Sequence, residues 1–529
     1  MKLYTTIKTL AVGCLVAIST MSCSKWLEVK MEDGILSNVL FADNEGYKIA
    51  LNGIYTTMNE GYGQSQTMVH LDILAQYYDV KSNKDHAYKT IAEYNYNDAN
   101  FESVNSALWT RQYSMIANIN AMLFEIDSEN SAISPRYYNT IKGEALALRA
   151  FLHFDLLRLY GPIMSEEGAT DIITIPYQDT DSKEIQPLLP AGQILDKVIA
   201  DLNAAANLLK DDPITTEGVL DSDTDNPNEN NDFRYRQYRM NYYAVQTLLA
   251  RAYLWKGDKT TAGQIARKLI EENREKQIFP WTAKADIQNT ENPDLIFSSE
   301  VIFGIYNQQR INSYRTFFRK TASLNNALRF KGENFTDPTG KMPYFYTDDN
   351  DIRKVSSMWS IEVPDETSGT TAQDAKEVIC FNKYLDFEAN AKPSRYMIPL
   401  IRISEVYLIA AECAESVDEA LLYLNELRNN RSCIDLAYNP DEDVNGTWLQ
   451  EKITAEFARE VIGEGQLFFY YKRIGAVKIL GGTVTENKKY DYSIYDYVYT
   501  YDPWQTISLG NYVWPLPQSE TNLRVSSGE

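Results

Sequence analysis

Apolar side chains recur at three- and four-residue steps through much of the middle and late chain, which is the spacing of amphipathic helices. This pattern predicts one helix from Thr140 to Tyr160 and another from about Ala191 to Leu209. A third predicted helix runs from about Met240 to Trp255, and a fourth follows it and ends near Ile270. The pattern therefore indicates a mainly helical protein.

Small residues on the third and fourth helices suggest how these helices pack. Ala250, Tyr253, Ala262 and Ala266 fall at the spacing of a tetratricopeptide motif, and a related pair of helices lies between residues 402 and 428. A single such unit cannot bury its own apolar face, so several units are expected to stack. Generic helix packing without superhelical stacking is the alternative that this pattern leaves open.

Long irregular stretches interrupt the helices, chiefly residues 60–106 and 281–393. Long loops inside a folded domain are usually functional or disordered. Residues 475–513 are rich in tyrosine and alternate in polarity, which predicts a short strand or hairpin as readily as a loop. The predicted fold class is mainly α: a tetratricopeptide-like helical repeat scaffold decorated with long loops and a few short strands.

The N-terminal segment has the order of a secretory signal. Lys2 and Lys8 are followed by an apolar run over residues 10–18 and then by Ser22-Cys23. This order predicts a signal peptide over residues 1–22 and a bacterial lipoprotein whose new N-terminal residue, Cys23, is acylated and anchors the chain to a membrane. An ordinary signal peptide with a cysteine there by chance is the alternative. The remaining residues, 23–529, are predicted to form one domain.

Composition narrows the classes of partner. The 529 residues are 44% hydrophobic and 23% charged, as in ordinary globular proteins, and carry a formal charge of -22. This charge argues against nucleic acid as a partner, because phosphate binding needs clustered lysine and arginine. The 37 tyrosines and 8 tryptophans exceed what a core alone requires, so some of these rings are expected to face a ligand.

Cofactor and catalytic motifs are sparse. The three histidines are scattered and no CxxC pair is present, so a zinc site is not predicted. Cys380, Cys413 and Cys433 allow at most one disulfide after the signal is removed and Cys23 is modified. The acidic run Asp221–Asp232 prompts a calcium hypothesis, but Asn226 stands where an EF-hand turn needs glycine, so a solvated acidic loop is favoured. No nucleophile elbow, P-loop or HExxH is visible, so an enzyme is not predicted.

Several short stretches carry a family resemblance and occur in the family's order: Leu51-Asn52-Gly53-Ile54-Tyr55, Gly143-Glu144-Ala145, Leu249-Ala250-Arg251-Ala252-Tyr253-Leu254, Ile398-Pro399-Leu400-Ile401-Arg402, Leu424-Asn425-Glu426-Leu427-Arg428, Arg459-Glu460 and Trp514-Pro515-Leu516-Pro517. In these stretches the chain resembles the SusD/RagB family of outer-membrane lipoproteins from Bacteroidetes. The resemblance implies a surface glycan-binding partner of a SusC-like TonB-dependent transporter, in which four tetratricopeptide-like units form the scaffold and a loop-rich half holds the ligand. The segment Ser24-Lys25-Trp26-Leu27 departs from the family's acidic export tag.

Charged residues inside the matched helices are predicted to be scaffold, because charges among apolar faces persist only when they are paired. These residues are Arg149, Asp155, Arg402, Glu405, Arg459 and Glu464. Trp109 lies in a helical run and is assigned to the scaffold with them.

Oligosaccharide recognition combines flat rings, which cover the apolar faces of sugars, with amides and carboxylates that bind hydroxyls. The loops supply the predicted ligand contacts: Tyr77, Tyr78, Asp79, Asp85, His86, Tyr88, Trp281, Tyr306, Tyr344 and Trp359. The predicted function is a non-catalytic, cell-surface outer-membrane lipoprotein that binds oligosaccharides or polysaccharides and delivers them to its transporter. A RagB-like peptide-binding lipoprotein and a helical-repeat adaptor without a small ligand are the alternatives.

Overall fold

A computed structural model describes residues 39–129, 131–226, 230–364, 376–387 and 392–527. The predicted signal peptide and Cys23 lie outside these residues. Over the described ranges, none of the helices has the length and apolar character needed to cross a bilayer.

Helices dominate the described ranges, and those outside the loop-rich stretches are numbered here in chain order where they are seven residues or longer: α1 (Asn44–Gly61), α2 (Ala99–Ile126), α3 (Pro135–Tyr160), α4 (Ala191–Leu208), α5 (Tyr242–Lys256), α6 (Lys259–Lys276), α7 (Ile403–Glu412), α8 (Val417–Asn429), α9 (Trp448–Glu460), α10 (Leu467–Arg473) and α11 (Gln518–Ser527). From α1 to α8, each helix packs against the next along the chain, and α9 packs against α7. This continuous stack of neighbouring helices confirms the predicted helical repeat scaffold.

The turn between α5 and α6 shows how local sequence shapes this stack. Gly257 adopts a φ of +86° and ends α5, because this left-handed conformation costs glycine little. Asp258 then caps α6 by accepting a hydrogen bond from the backbone N–H of Thr261 (2.9 Å). The resulting tight turn lays α6 back against α5.

Small residues set the distance between the stacked helices. Ala250, Ala262 and Ala266 are fully buried where the helices of this pair meet. A Cβ atom placed on Gly263 would lie 2.8 Å from the Cβ atom of Cys413, which directly follows α7. The close approach of α6 to α7 therefore depends on the missing side chain of Gly263.

Over the described residues, the strands form four two-stranded antiparallel sheets: β1 (Ile173–Pro176) with β2 (Leu188–Pro190), β3 (Val301–Tyr306) with β6 (Met397–Arg402), β4 (Trp359–Glu362) with β5 (Val378–Phe381), and β7 (Lys478–Asp491) with β8 (Asp496–Thr506). The last pair is the hairpin predicted for residues 475–513 as an alternative to a loop, and it is longer than expected.

The predicted loops are more structured than the sequence pattern indicates. Residues 99–106 begin α2, because Asp98 caps that helix by accepting a hydrogen bond from the backbone N–H of Asn100 (2.9 Å). Residues 281–393 contain three strands and the short helix Arg310–Phe317. β3 pairs with β6, which lies about ninety positions further along the chain, so local periodicity does not reveal this pair.

A buried network of ion pairs joins the loop-rich half to the helices. Arg431 donates to both carboxylate oxygens of Glu300 (2.9 and 2.6 Å) and to Glu460 (2.6 Å). Arg402, at the end of β6, donates to Glu460 (2.8 Å) and to Glu464 (2.7 Å). Since every member is fully or almost fully buried, removing one would leave an uncompensated charge.

The charged residues assigned to the scaffold are indeed buried and paired. Arg149 pairs with Asp201 (2.7 Å), Glu405 with Arg251 (2.6 Å) and Arg459 with Glu456 (2.9 Å), while Asp155 pairs with Arg158. The buried ring of Trp109 packs on Tyr160, with 5.0 Å between ring centroids. These predictions are confirmed.

Candidate ligand-binding site

Four of the predicted ligand contacts lie in the core: Tyr77, Tyr78, His86 and Trp359. Tyr77 is 0% exposed and donates its hydroxyl proton to the carbonyl oxygen of Ala458 (2.6 Å). Trp359 is 4% exposed and packs against Phe330 and Phe381, with centroids 4.4 and 4.8 Å away. In this structure these side chains do not face solvent, so their assignment as ligand contacts is corrected to core packing.

Four other predicted contacts are partly buried and occupied by internal partners. Asp79 accepts hydrogen bonds from Thr483 (2.7 Å) and Ser82 (2.8 Å), and Tyr88 packs between His86 and Phe317 at 6.0 Å. Trp281 packs against Tyr407, and Tyr344 donates to the carbonyl oxygen of Pro338 (3.0 Å). Asp85 is exposed, but it does not line any of the clefts described below.

Tyr306 is the predicted contact that does line a cleft. Its side chain is 43% exposed at the end of β3. Its ring meets Tyr238 edge-on at 5.6 Å and Tyr396 edge-on at 5.5 Å, measured between centroids. These three rings, called the tyrosine triad below, present an aromatic surface of the kind that sugar rings stack on.

The pairing of β3 with β6 brings this triad together. Tyr306 lies opposite Met397 in the antiparallel register, so Tyr396 is brought next to Tyr306. The Tyr238 hydroxyl donates to the carbonyl oxygen of Pro393 (2.6 Å), which ties the turn Arg236–Tyr238 to the segment before β6. Burial raises the pKa of Tyr238, so this hydroxyl stays protonated as a donor.

The triad borders a cleft of about 720 Å³, called the tyrosine cleft. Its lining also includes Tyr137, Tyr235, Asn52 and the cations Lys48, Arg234, Arg239, Lys392 and Arg395. Most binding pockets for small molecules have volumes of roughly 300–1,000 Å³, so this cleft could hold a short oligomer.

A second cleft, of about 490 Å³, is also lined by Tyr306 and is called the amide cleft. The two clefts share Asn52, Tyr238, Arg239 and Tyr306. Amide side chains dominate the rest of the second lining: Asn59, Gln64, Asn307, Gln308 and Gln309. Each amide carries both donors and an acceptor, which suits it to binding hydroxyl groups.

The two carboxylates of the tyrosine cleft are already paired. Asp232 accepts from Lys48 (2.8 Å) and from the Tyr137 hydroxyl, and Glu144 pairs with the buried Arg236. Burial alone would raise the pKa of Asp232, but the hydrogen bonds from Lys48 and Tyr137 hold it below its ordinary value. Asp232 is therefore ionised, and its carboxylate is bonded to other residues of the cleft lining.

The acidic run Asp221–Asp232, for which a solvated loop was favoured over a calcium site, lies only partly within the described residues, since 227–229 fall outside them. Within the described ranges, no group of three or more histidine, cysteine, aspartate and glutamate side chains is arranged to hold a metal ion. The same part of the chain holds Cys380, Cys413 and Cys433 as buried free thiols.

Sequence reasoning missed Tyr137, Tyr235, Tyr238 and Tyr396 as members of the site. Tyr235 and Tyr238 lie in a tyrosine-rich stretch just before α5, which was a detectable signal. Tyr235 also adopts a φ of +55°, an uncommon conformation for a bulky residue that points to a constrained turn. Nothing local in the sequence distinguishes Tyr137 or Tyr396 from core tyrosines.

The structure is that of a tetratricopeptide-like helical scaffold protein whose clefts lie beside the strands and loops packed on the helices. Residues 177–525, more than half of the chain, match the model of the SusD family, and residues 25–218 match a related family described as starch-binding associating with outer membrane. The chain belongs to the SusD family.

Individual relatives agree with this membership. The SusD-like protein P38 of Formosa agariphila is 23% identical over 502 residues, covering 87% of this chain and 90% of P38. A SusD superfamily protein of Bacteroides thetaiotaomicron superposes with a TM-score of 0.64 at 21% identity, covering 91% of this chain and 98% of that one. A SusD-like carbohydrate binding protein of Bacteroides vulgatus gives a TM-score of 0.61 at 19% identity, covering 91% and 96%. These structural neighbours show the same fold.

Proposed function

We propose that this protein is a non-catalytic, lipid-anchored outer-membrane protein that binds oligosaccharides in the tyrosine and amide clefts and delivers them to a SusC-like transporter. The observation that carries the proposal is that the exposed ring of Tyr306 lines both clefts. Its exposed ring offers a stacking surface, and amides lie on one side of it to bind hydroxyls. The carbohydrate binding named for the Bacteroides vulgatus relative supports the same ligand class.

Binding without catalysis is proposed because both carboxylates of the tyrosine cleft are held in ion pairs, which leaves Glu60 as the single unpaired carboxylate among the described residues that line the two clefts. A glycosidase needs one carboxylic acid that donates a proton and a second carboxylate free to act as base or nucleophile. Asp232 and Glu144 are each engaged by a cation and a tyrosine hydroxyl. Neither one is available for that chemistry in the arrangement seen here.

A glycan array followed by titration calorimetry on the purified protein tests this proposal. We expect at least one oligosaccharide to bind, with the affinity lost in Tyr306→Ala and the ligand recovered uncleaved. An array on which only peptides bind would replace this proposal with the peptide-binding alternative. Release of new reducing ends would contradict the non-catalytic part.

Delivery and anchoring need separate measurements. We expect the native protein to co-purify with a β-barrel transporter from detergent-solubilised outer membranes, and a Cys23→Ser variant to be lost from the membrane fraction. A variant that remains membrane-bound would contradict acylation at Cys23, because several acyl chains are what makes such anchoring stable.

A further inference from the structure

The two clefts beside Tyr306 differ in charge, although the chain as a whole carries -22. We propose that the ligand is an acidic oligosaccharide, whose carboxylate or sulfate group lies in the tyrosine cleft while a neutral, hydroxyl-rich unit lies in the amide cleft. This inference rests on the proposed function and adds the ligand's charge and its orientation.

Arg239 is the first cation that supports this orientation, because it lines both clefts. Its guanidinium carbon lies 4.8 Å from the centroid of the Tyr55 ring, and one nitrogen donates to the side-chain oxygen of Asn52 (2.5 Å). Throughout the described ranges, Arg239 forms no ion pair with a carboxylate. Its remaining N–H groups and its full charge are therefore available to an anionic group at the junction of the clefts.

Lys392 is the second such cation. It is exposed at the wall of the tyrosine cleft and has no carboxylate partner within the part of the chain that the structure describes. Lys48 and Arg395 line the same cleft but are neutralised by Asp232 (2.8 Å) and Asp386 (2.8 Å). Arg239, Lys392 and Arg234 therefore line the tyrosine cleft without a carboxylate partner among the described residues, and Arg234 donates instead to Ser222.

The carboxylates of the two clefts differ in whether a cation neutralises them. Asp232 and Glu144, in the tyrosine cleft, are paired with Lys48 and Arg236 and so oppose an incoming anion weakly. Glu60 lines the amide cleft and has no cation partner among the described residues. Glu60 offsets the charge of Arg239 in the amide cleft, whereas Lys392 and Arg234 add to it in the tyrosine cleft, so an anionic group is favoured on the tyrosine side and the ligand has a preferred direction across Tyr306.

Matched pairs of oligosaccharides test the charge, with one arm for each acidic group. The carboxylate arm compares galacturonic acid oligomers with their neutral methyl esters, and the sulfate arm compares sulfated with desulfated galactan oligomers. We expect one acidic member to bind the purified protein about tenfold more tightly than its neutral partner. This preference should shrink between about 50 mM and about 500 mM salt, because exposed charges are screened.

Substitutions of Arg239 and Lys392 test whether these two cations bind the acidic group of the ligand. Arg239→Gln and Lys392→Gln should each weaken the binding of the acidic member more than that of its neutral partner, so that the acidic preference shrinks, and Lys478→Gln, at an exposed lysine on β7, should leave the preference intact. Because Lys392 is exposed, its variant is expected to fold even if Arg239→Gln does not.

The outcomes separate the two proposals. Neutral members that bind as tightly as acidic ones would overturn this inference and leave the proposed function standing. An acidic preference that survives the combined substitution of Arg239, Lys392 and Arg234 would also overturn it, since the anion would then bind outside the tyrosine cleft. No binding by any member of either arm would count against both.

Discussion

The backbone N–H of Asn307 donates a 2.8 Å hydrogen bond to the carbonyl oxygen of Tyr396. This bond continues the β3–β6 pairing one residue beyond the end of β3 and keeps the Tyr306 and Tyr396 rings in contact. At the opposite end of the same sheet, Val301 pairs with Arg402, which belongs to the buried ion network. The sheet therefore connects the charged core of the protein to its aromatic groove.

Tyr306→Ala should abolish most ligand binding and leave the fold intact. The ring is 43% exposed, so its removal costs little core packing, but it borders both clefts. We expect an affinity loss of about tenfold to a hundredfold by calorimetry, in the range of a central aromatic contact. The control is Tyr492→Ala, which removes an equally large exposed ring from the hairpin. An equal loss in the control would contradict a specific role for Tyr306.

Tyr77→Ala and Trp359→Ala should lower the stability of the protein, and neither should affect ligand binding directly. Both side chains are buried, and Tyr77 also satisfies the carbonyl oxygen of Ala458. We expect each substitution to lower the free energy of unfolding by about 3–5 kcal/mol, measured by urea denaturation. A variant that keeps its stability but loses ligand affinity would show instead that the ring contacts the ligand.

Stability should fall in acid as Glu456 is protonated. Burial alone would raise the pKa of Glu456, but the guanidinium groups of Arg353, Arg459 and Arg428 hold it at about 2. Because the folded-state pKa lies below the unfolded value, its contribution to stability is complete above about pH 4.5 and is lost as the pH falls toward 2. The contribution is on the order of 3 kcal/mol.

The comparison with Glu456→Gln isolates this effect. The variant should be less stable than the parent at neutral pH, and the difference between the two should narrow as the pH falls from about 4.5 toward 2. Chemical denaturation at several pH values measures this difference. A gap that stays constant over the whole range would show that Glu456 does not titrate there.

Gly263→Val should destabilise the helical stack. An added Cβ atom would meet the Cβ atom of Cys413 at 2.8 Å and force α6 away from α7. We expect a loss of about 1–3 kcal/mol in thermal or chemical unfolding. Gly53→Ala, on the exposed face of α1 with no neighbour within 4 Å, is the matched control and should stabilise by about 0.5–1 kcal/mol. A harmless Gly263→Val would mean that the helices can separate freely.

The amino-acid sequence alone determined the helical class of this protein. The apolar spacing that predicted helices over residues 140–160 and 191–209 depends on neighbours three and four positions away, and α3 and α4 form there. The sequence also predicted ion pairs in the scaffold, because a charged side chain such as Arg149 or Glu405 on an apolar helix face requires a partner. The tyrosine content predicted that some rings face a ligand, and among the predicted contacts Tyr306 is an exposed ring that lines a cleft.

Only the tertiary structure decided which rings are exposed. Tyr77 and Tyr306 both lie in stretches that read as polar, aromatic loops, yet one is buried by helix α9 and the other remains open beside β6. A ring's burial depends on the segments packed over it, and here those segments are about ninety or more positions away along the chain. The site is assembled from the ends of β3 and β6, whose pairing is a long-range contact that no local pattern encodes.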